Sequence, residues 1–257
     1  LRESTRAGRL VAVVVCAAAW SGVPEARAFT PETRVRIVDE AIRLMPKSLR
    51  LALERHREVV LRGALEPLRD EDAASHRPPW EGGTLPDSVE SEARALAEAV
   101  GKPAPFVEVC RRFGGLAHFV TDAGFPPQAA GKEGTSRYAH FGGYTAEKLP
   151  KFPLVFLGHE DPALARGDFA AFTLAVLEQA RAEDRNLARV YAAAGTPPSP
   201  AFFDDRSIPF AVASLAYSRA VTHVVRAWLA AWERAGGDMG GIPYFTPPGP
   251  EAGDPED

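Results

Sequence analysis

Residues 114–128 read GGLAHFVTDAGFPPQ and place His118 four positions before Asp122. Four residues make about one helical turn, so on a helix both side chains leave the same face. An imidazole and a carboxylate presented together are metal-ligating groups; they are equally the makings of a polar pair on a solvated face. With six histidines in the chain, such a pair arises by chance often enough that its surroundings must decide its meaning. Two glycines, Gly114 and Gly115, sit just before it. Inside a helix each costs about 1 kcal/mol relative to alanine, a cost suited to a place where another segment or a ligand approaches closely.

The other candidates have plainer readings. His56, in ERHREVV, belongs on a helix surface or at the edge of the core, and His159, in LGHEDP, in a loop. His223, in AVTHVVRAW, reads as a hydrogen-bonded core histidine. Phe210, Tyr217, Trp228 and Trp232 follow helical spacing and read as core rather than as a base-stacking platform. The sequence holds no Gly-rich phosphate loop, no serine-nucleophile motif and no Cys-x-x-Cys.

Helical periodicity dominates the chain that must position these groups. The spacing predicts helices over PETRVRIVDEAIRLM, KSLRLALERHREVVLRGAL, PDSVESEARALAEAVG (with Asp87 as cap) and APFVEVCRRFGGLAHFVTDAG. A short one follows in SRYAHFGGYTAEKL. Two long ones cover DPALARGDFAAFTLAVLEQARAEDRNLARVYAAAG and IPFAVASLAYSRAVTHVVRAWLAAWERAGG. No run alternates with a two-residue period between hairpin turns, so the expected class is all-α. In projection the apolar stripe of the fourth helix centres near Phe113, with His118 and Asp122 well round from it. EPLRDEDAASHRPPWEGGTLP and GFPPQAAGKEGT read as long loops, which in compact domains are often functional.

The first 28 residues have the three regions of a secretory signal peptide. Arg2, Arg6 and Arg9 precede the apolar run LVAVVVCAAAW, and Ala26-Arg27-Ala28 ends it. The expected product is exported, periplasmic or secreted, with one domain over residues 29–245 and a disordered acidic tail over 246–257. Removing four arginines and two glutamates changes the net charge from −4 to −6, which argues against a broad surface for duplex DNA. One cysteine remains, Cys110, on an apolar stripe; it excludes an internal disulfide and reads as a small core residue. No further segment reads as transmembrane.

LAHFVTDAGFPPQ resembles the His-x-x-x-Asp helix and proline loop of the zinc-dependent phospholipase C family, which includes the fungal single-strand-specific nucleases. AFTPETRVRIV is similar to that family's mature N-terminus, GALEPLRDEDAASH to its second metal-ligand region and YAHFGGYTAEKLPKFPLVF to its last ligand helix. The resemblance spans most of the chain beyond residue 28. It implies an all-α, multi-helix domain with an inter-helix cleft, three zinc ions in that cleft, and hydrolysis of lipid or nucleic-acid phosphodiesters.

It also shows how far the ligand set departs from the family's. Phe29 stands where a terminal amine and carbonyl would bind zinc, and Arg34 where a histidine would complete that site. The His, His and Glu of a second zinc fall at Gln128, Tyr138 and Gly142; His140 is nearby but about 200° round the helix from Tyr138. A third zinc loses its first aspartate to Leu68 and keeps His76, His118 and Asp122, with Asp70 or Asp72 as substitutes for a fourth ligand. The implied metal set is thus one zinc ion at His76, His118 and Asp122, and no catalytic or substrate-binding residue is assigned. Arginine is always protonated and cannot ligate. In the family the aspartate matching Asp122 bridges two metals. Arg34 is therefore expected to replace one of them by pairing with Asp122, joining the first and fourth helices. Two functions follow: a phosphate-ester hydrolase using one metal, with a phospholipid head group or other phosphodiester as partner, or a non-catalytic binding module, a pseudoenzyme.

Overall fold

The computed structural model describes residues 28–66, 73–102, 104–195 and 203–243. The fold is all-α, with no strand among the described residues. Helix α1 (Pro31–Arg43) starts where the sequence places it. Proline opens it, the Thr30 side chain accepts from the Thr33 amide at 3.4 Å, and Ile37, Val38 and Ala41 bury its apolar face. The next periodic run is two helices rather than one, α2 (Lys47–Arg55) and α3 (Arg57–Leu65). The break falls at His56, which leaves helical geometry (φ −109°, ψ 24°) and packs its ring 6.0 Å from Phe106.

Helix α4 (Leu85–Gly101) begins after Thr84, so Asp87 lies within its first turn instead of capping it. Beyond α5 (Phe106–Ala123), the expected loop after Gly124 is largely ordered into single turns, including α6 (Pro126–Ala129), before α7 (Tyr138–Lys148). The long helix expected after Asp161 is divided into α8 (Pro162–Ala165) and α9 (Phe169–Ala194). Gly167 takes a positive φ of 75° between them, and the Asp168 carboxylate caps α9 through the Ala171 amide at 2.8 Å. Helix α10 (Ile208–Arg234) completes the bundle.

Helix α5 lies at the centre, packed against α3, α4, α9 and α10. Twelve of its 18 residues are buried, Cys110 and both site residues among them. That corrects the projection. The stripe around Phe113 faces one neighbour, and His118 and Asp122 turn towards a second interface rather than towards solvent. Gly63 of α3 and Gly114 of α5 make this second contact a backbone-to-backbone one. A Cβ on Gly114 would stand 2.1 Å from the Val60 carbonyl oxygen and 2.7 Å from the Ala64 nitrogen. The predicted close approach at the glycines is therefore between helices.

Helix α10 is, contrary to expectation, long and apolar enough to cross a membrane, but 67% of its most apolar window is buried inside the molecule. It behaves as a core helix. Trp228 is fully buried, with its indole donating to the Phe113 carbonyl at 2.8 Å, and Tyr217 is buried three turns earlier on the same helix. The extended stretch 152–158 runs along this helix without belonging to helix or sheet. Ser218 Oγ accepts from the Val155 amide at 3.2 Å and donates to the Pro153 carbonyl at 3.2 Å. Thr222 Oγ1 accepts from the Leu157 amide at 3.2 Å. Arg226 donates to the carbonyls of Gly158 and Leu157 at 2.8 and 2.9 Å.

Candidate metal centre

Three elements converge at the C-terminal half of α5. The turn region before α4 carries His76, α5 carries His118, Thr121 and Asp122, and α1 carries Arg34. All four titratable side chains are buried: His76 is 4% exposed and His118, Asp122 and Arg34 are each 1% exposed. Among the described residues, His76, His118 and Asp122 form the one group of three metal-ligating side chains close enough to share an ion.

The α3–α5 contact fixes the first imidazole. His118 Nδ1 lies 2.9 Å from the Ala64 carbonyl oxygen, so Nδ1 carries the hydrogen and donates it. Nε2 then holds a lone pair. It lies 3.2 Å from His76 Nδ1 and 3.2 Å from Asp122 Oδ2, while His76 Nδ1 lies 2.7 Å from the same Oδ2. A hydrogen on His76 Nδ1 closes this triangle by donating to the carboxylate. The His76 ring packs 5.3 Å from Phe119, and its backbone carbonyl accepts from the Gln128 side-chain amide. His76 Nε2 and Gln128 Oε1 are buried without a hydrogen-bond partner.

The guanidinium of Arg34 occupies the other side of Asp122. Nη2 pairs with Asp122 Oδ1, Nη1 donates to Thr121 Oγ1 at 2.6 Å and to the His118 carbonyl at 3.1 Å, and Nε donates to the Phe29 carbonyl at 3.1 Å. The expected pairing of Arg34 with Asp122 is present, and it joins α1 to α5. Burial alone would raise the Asp122 pKa. The facing imidazole of His118, the Arg34 guanidinium and the hydrogen bond from His76 reverse this and hold the carboxyl well below its usual range. Burial pushes His118 the other way, down, against the raising influence of Asp122, and so favours its neutral form.

These donors fit one zinc ion. Edges of 2.7, 3.2 and 3.2 Å compare with about 3.3–3.4 Å between ligands of a tetrahedral zinc with bonds of about 2.0–2.1 Å. The remaining positions do not fit further ions. Arg34 supplies a fixed positive charge, Gln128 is committed to the His76 carbonyl, Tyr138 packs against Phe125 at 5.9 Å, and Gly142 has no side chain. Leu68, Asp70 and Asp72 lie outside the described residues. His140 bonds to the Tyr191 hydroxyl at 2.7 Å and takes no part in the cluster. His223 is buried, as expected, but its Nδ1 has no hydrogen-bond partner. Thr121 and Gln128 hold the site together without having stood out in the sequence as supports. A hydroxyl one position before the aspartate was the available signal for the first.

The fold is similar to that of alpha-toxin from Clostridium perfringens, in a crystal structure of the toxin isolated from avian strain SWCP. The TM-score is 0.56 at 12% sequence identity, over 85% of this chain and 67% of the toxin chain. This likeness shows an all-α fold like that of the toxin. No protein-family model matches the sequence, and no curated protein matches it.

Proposed function

We propose that this chain is a non-hydrolytic member of the phospholipase C-like fold, a binding module whose His76–His118–Asp122 cluster is a structural centre for at most one zinc ion. The supporting observation is enclosure. The three ligating side chains are 0–5% exposed, and the single carboxylate among them is already bonded through both oxygens. A catalytic zinc keeps a position open to water or substrate, and among the described residues the three ligating side chains leave no such face exposed. When bound, zinc would supply a Lewis acid and a cross-link between α5 and the segment carrying His76. His118 Nε2, His76 Nδ1 and Asp122 Oδ2 would hold it. Binding of a phosphodiester such as a phospholipid head group, export behind a signal peptide over residues 1–28, and a single domain over 29–245 belong to the same proposal.

A second reading, a phosphate-ester hydrolase working through one zinc ion, is favoured by the donor triangle itself. Turnover of bis-p-nitrophenyl phosphate and of phosphatidylcholine vesicles, measured with and without added zinc, separates the two. The first reading expects no turnover above background. Zinc-dependent turnover that disappears in His118→Ala would overturn it and establish the second.

A further inference from the structure

We propose that Arg34 is the residue that sets the metal affinity of the His76–His118–Asp122 cluster, acting as a built-in competitor for the cation. The inference rests on the reading of those three residues as the cation site. It begins with how firmly the guanidinium is held. Four acceptors surround it: the Phe29 and His118 carbonyls, Thr121 Oγ1 and Asp122 Oδ1. With the side chain 1% exposed, it cannot swing away without parting α1 from α5.

It is also held against the one carboxylate of the described cluster. Asp122 Oδ1 meets the guanidinium while Oδ2 faces both imidazoles. An ion arriving at Oδ2 meets a permanent positive charge just across the carboxylate, at a range where buried charges interact strongly. The charge of the cluster, moreover, is balanced without an ion, although His76 Nε2 is left without a partner. The Arg34 charge offsets the carboxylate, Ala64 fixes His118, and one hydrogen on His76 Nδ1 serves Oδ2. Zinc must displace that hydrogen and gain little electrostatically in return. The cluster is therefore a latent metal centre, uncovered by removing the charge at position 34.

The test is zinc titration of the full chain by competition with a chromophoric chelator, in the parent protein, Arg34→Gln and Arg34→Lys. Arg34→Gln should bind zinc at least about 100-fold more tightly than the parent, a conservative expectation for removing a unit charge at contact range. Arg34→Lys, which keeps the charge, should stay within severalfold of the parent. An Arg34→Gln affinity within threefold of the parent would overturn the proposal. So would an equal rise in Arg34→Lys, which would trace the effect to geometry instead of charge. Folding of Arg34→Gln only when zinc is present also supports it. Should that variant fail to fold with or without zinc, Thr121→Val decides: loosening one guanidinium anchor should tighten zinc binding severalfold, and no change refutes the idea. Zinc retained by the Arg34→Gln/His118→Ala double variant would place the metal elsewhere, defeating the site reading rather than the role of Arg34.

Discussion

Replacing Gly114 by alanine sets two effects of opposite sign against each other. In the interior of α5, alanine should favour the helix by about 1 kcal/mol. The added Cβ would, however, stand 2.1 Å from the Val60 oxygen, 2.7 Å from the Ala64 nitrogen and 2.8 Å from Gly63 Cα, all backbone atoms of α3. Restoring an ordinary contact of about 3.4 Å requires the two helices to separate locally by about an ångström, since no rotamer change can relieve backbone. Overpacking costs of about 1–3 kcal/mol, occasionally more, are usual where side chains can adjust; here the upper end applies. The net expectation is a loss of about 2 kcal/mol, which in a domain of this size lowers Tm by roughly 4–8 °C. The control is Gly143→Ala, also in a helix but with nothing within 4 Å of the new Cβ. It should be neutral or stabilising by up to about 1 kcal/mol. Urea and thermal unfolding of both variants measure the difference. If Gly114→Ala proves as stable as Gly143→Ala, α3 and α5 do not meet backbone to backbone, and the placement of Ala64 against His118 falls with that contact.

Burial, reinforced by the charges of Arg226 and Arg219, pushes His223 down to about 3. The unfolded chain binds a proton there near pH 6.5 and the folded chain does not, so stability is fully present above about 6.5 and declines as pH falls towards 3, by up to about 1.4 kcal/mol per pH unit. His223→Leu should flatten the dependence of unfolding free energy on pH by one proton over that range; an unchanged slope would show that the group is solvated. The double substitution Ser218→Ala/Thr222→Val removes the acceptors for the Val155 and Leu157 amides. Native-state hydrogen exchange at those two amides should accelerate at least tenfold, at a cost of about 1–3 kcal/mol for each group left unsatisfied, and unaltered exchange would mean the stretch is held by its side chains instead.

The helices were readable because their ends carry local chemistry: Pro31 after Thr30, and Gly195 after Ala194. The break at His56 was not, because the apolar rhythm runs straight through it; at Gly167 the glycine and the Asp168 cap were local signals that the apolar rhythm masked. The pairing of Arg34 with Asp122 was reached through the resemblance, which set Arg34 at the place of a lost metal ligand, and through the counter-charge that a buried carboxylate requires. The second interface that buries His118 was not legible for a physical reason. A projection assigns one buried face to a helix, whereas α5 is surrounded, and its polar face is sealed by two glycines that a hydrophobicity pattern scores as neutral. Neither the link from Gln128 to the His76 carbonyl nor the anchoring of Arg34 by the Phe29 carbonyl has any local signature. Both depend on the folding together of distant segments.

The stretch along α10 shows what a helix can and cannot do as a neighbour for extended chain. Four helical residues rise about 6.0 Å, and two extended residues advance about 6.6–6.8 Å. Ser218 and Thr222, one such step apart, therefore meet Val155 and Leu157, one such step apart, with only a fraction of an ångström to absorb. The two rulers drift with each repeat, so short hydroxyls cannot keep the match for long. At the third step the helix presents not another hydroxyl but Arg226, whose length takes up the accumulated offset and whose two donors reach the Gly158 and Leu157 carbonyls together. A helix can thus imitate the edge of a sheet over about three repeats, and the vernier between the two periods sets the length of chain it can hold.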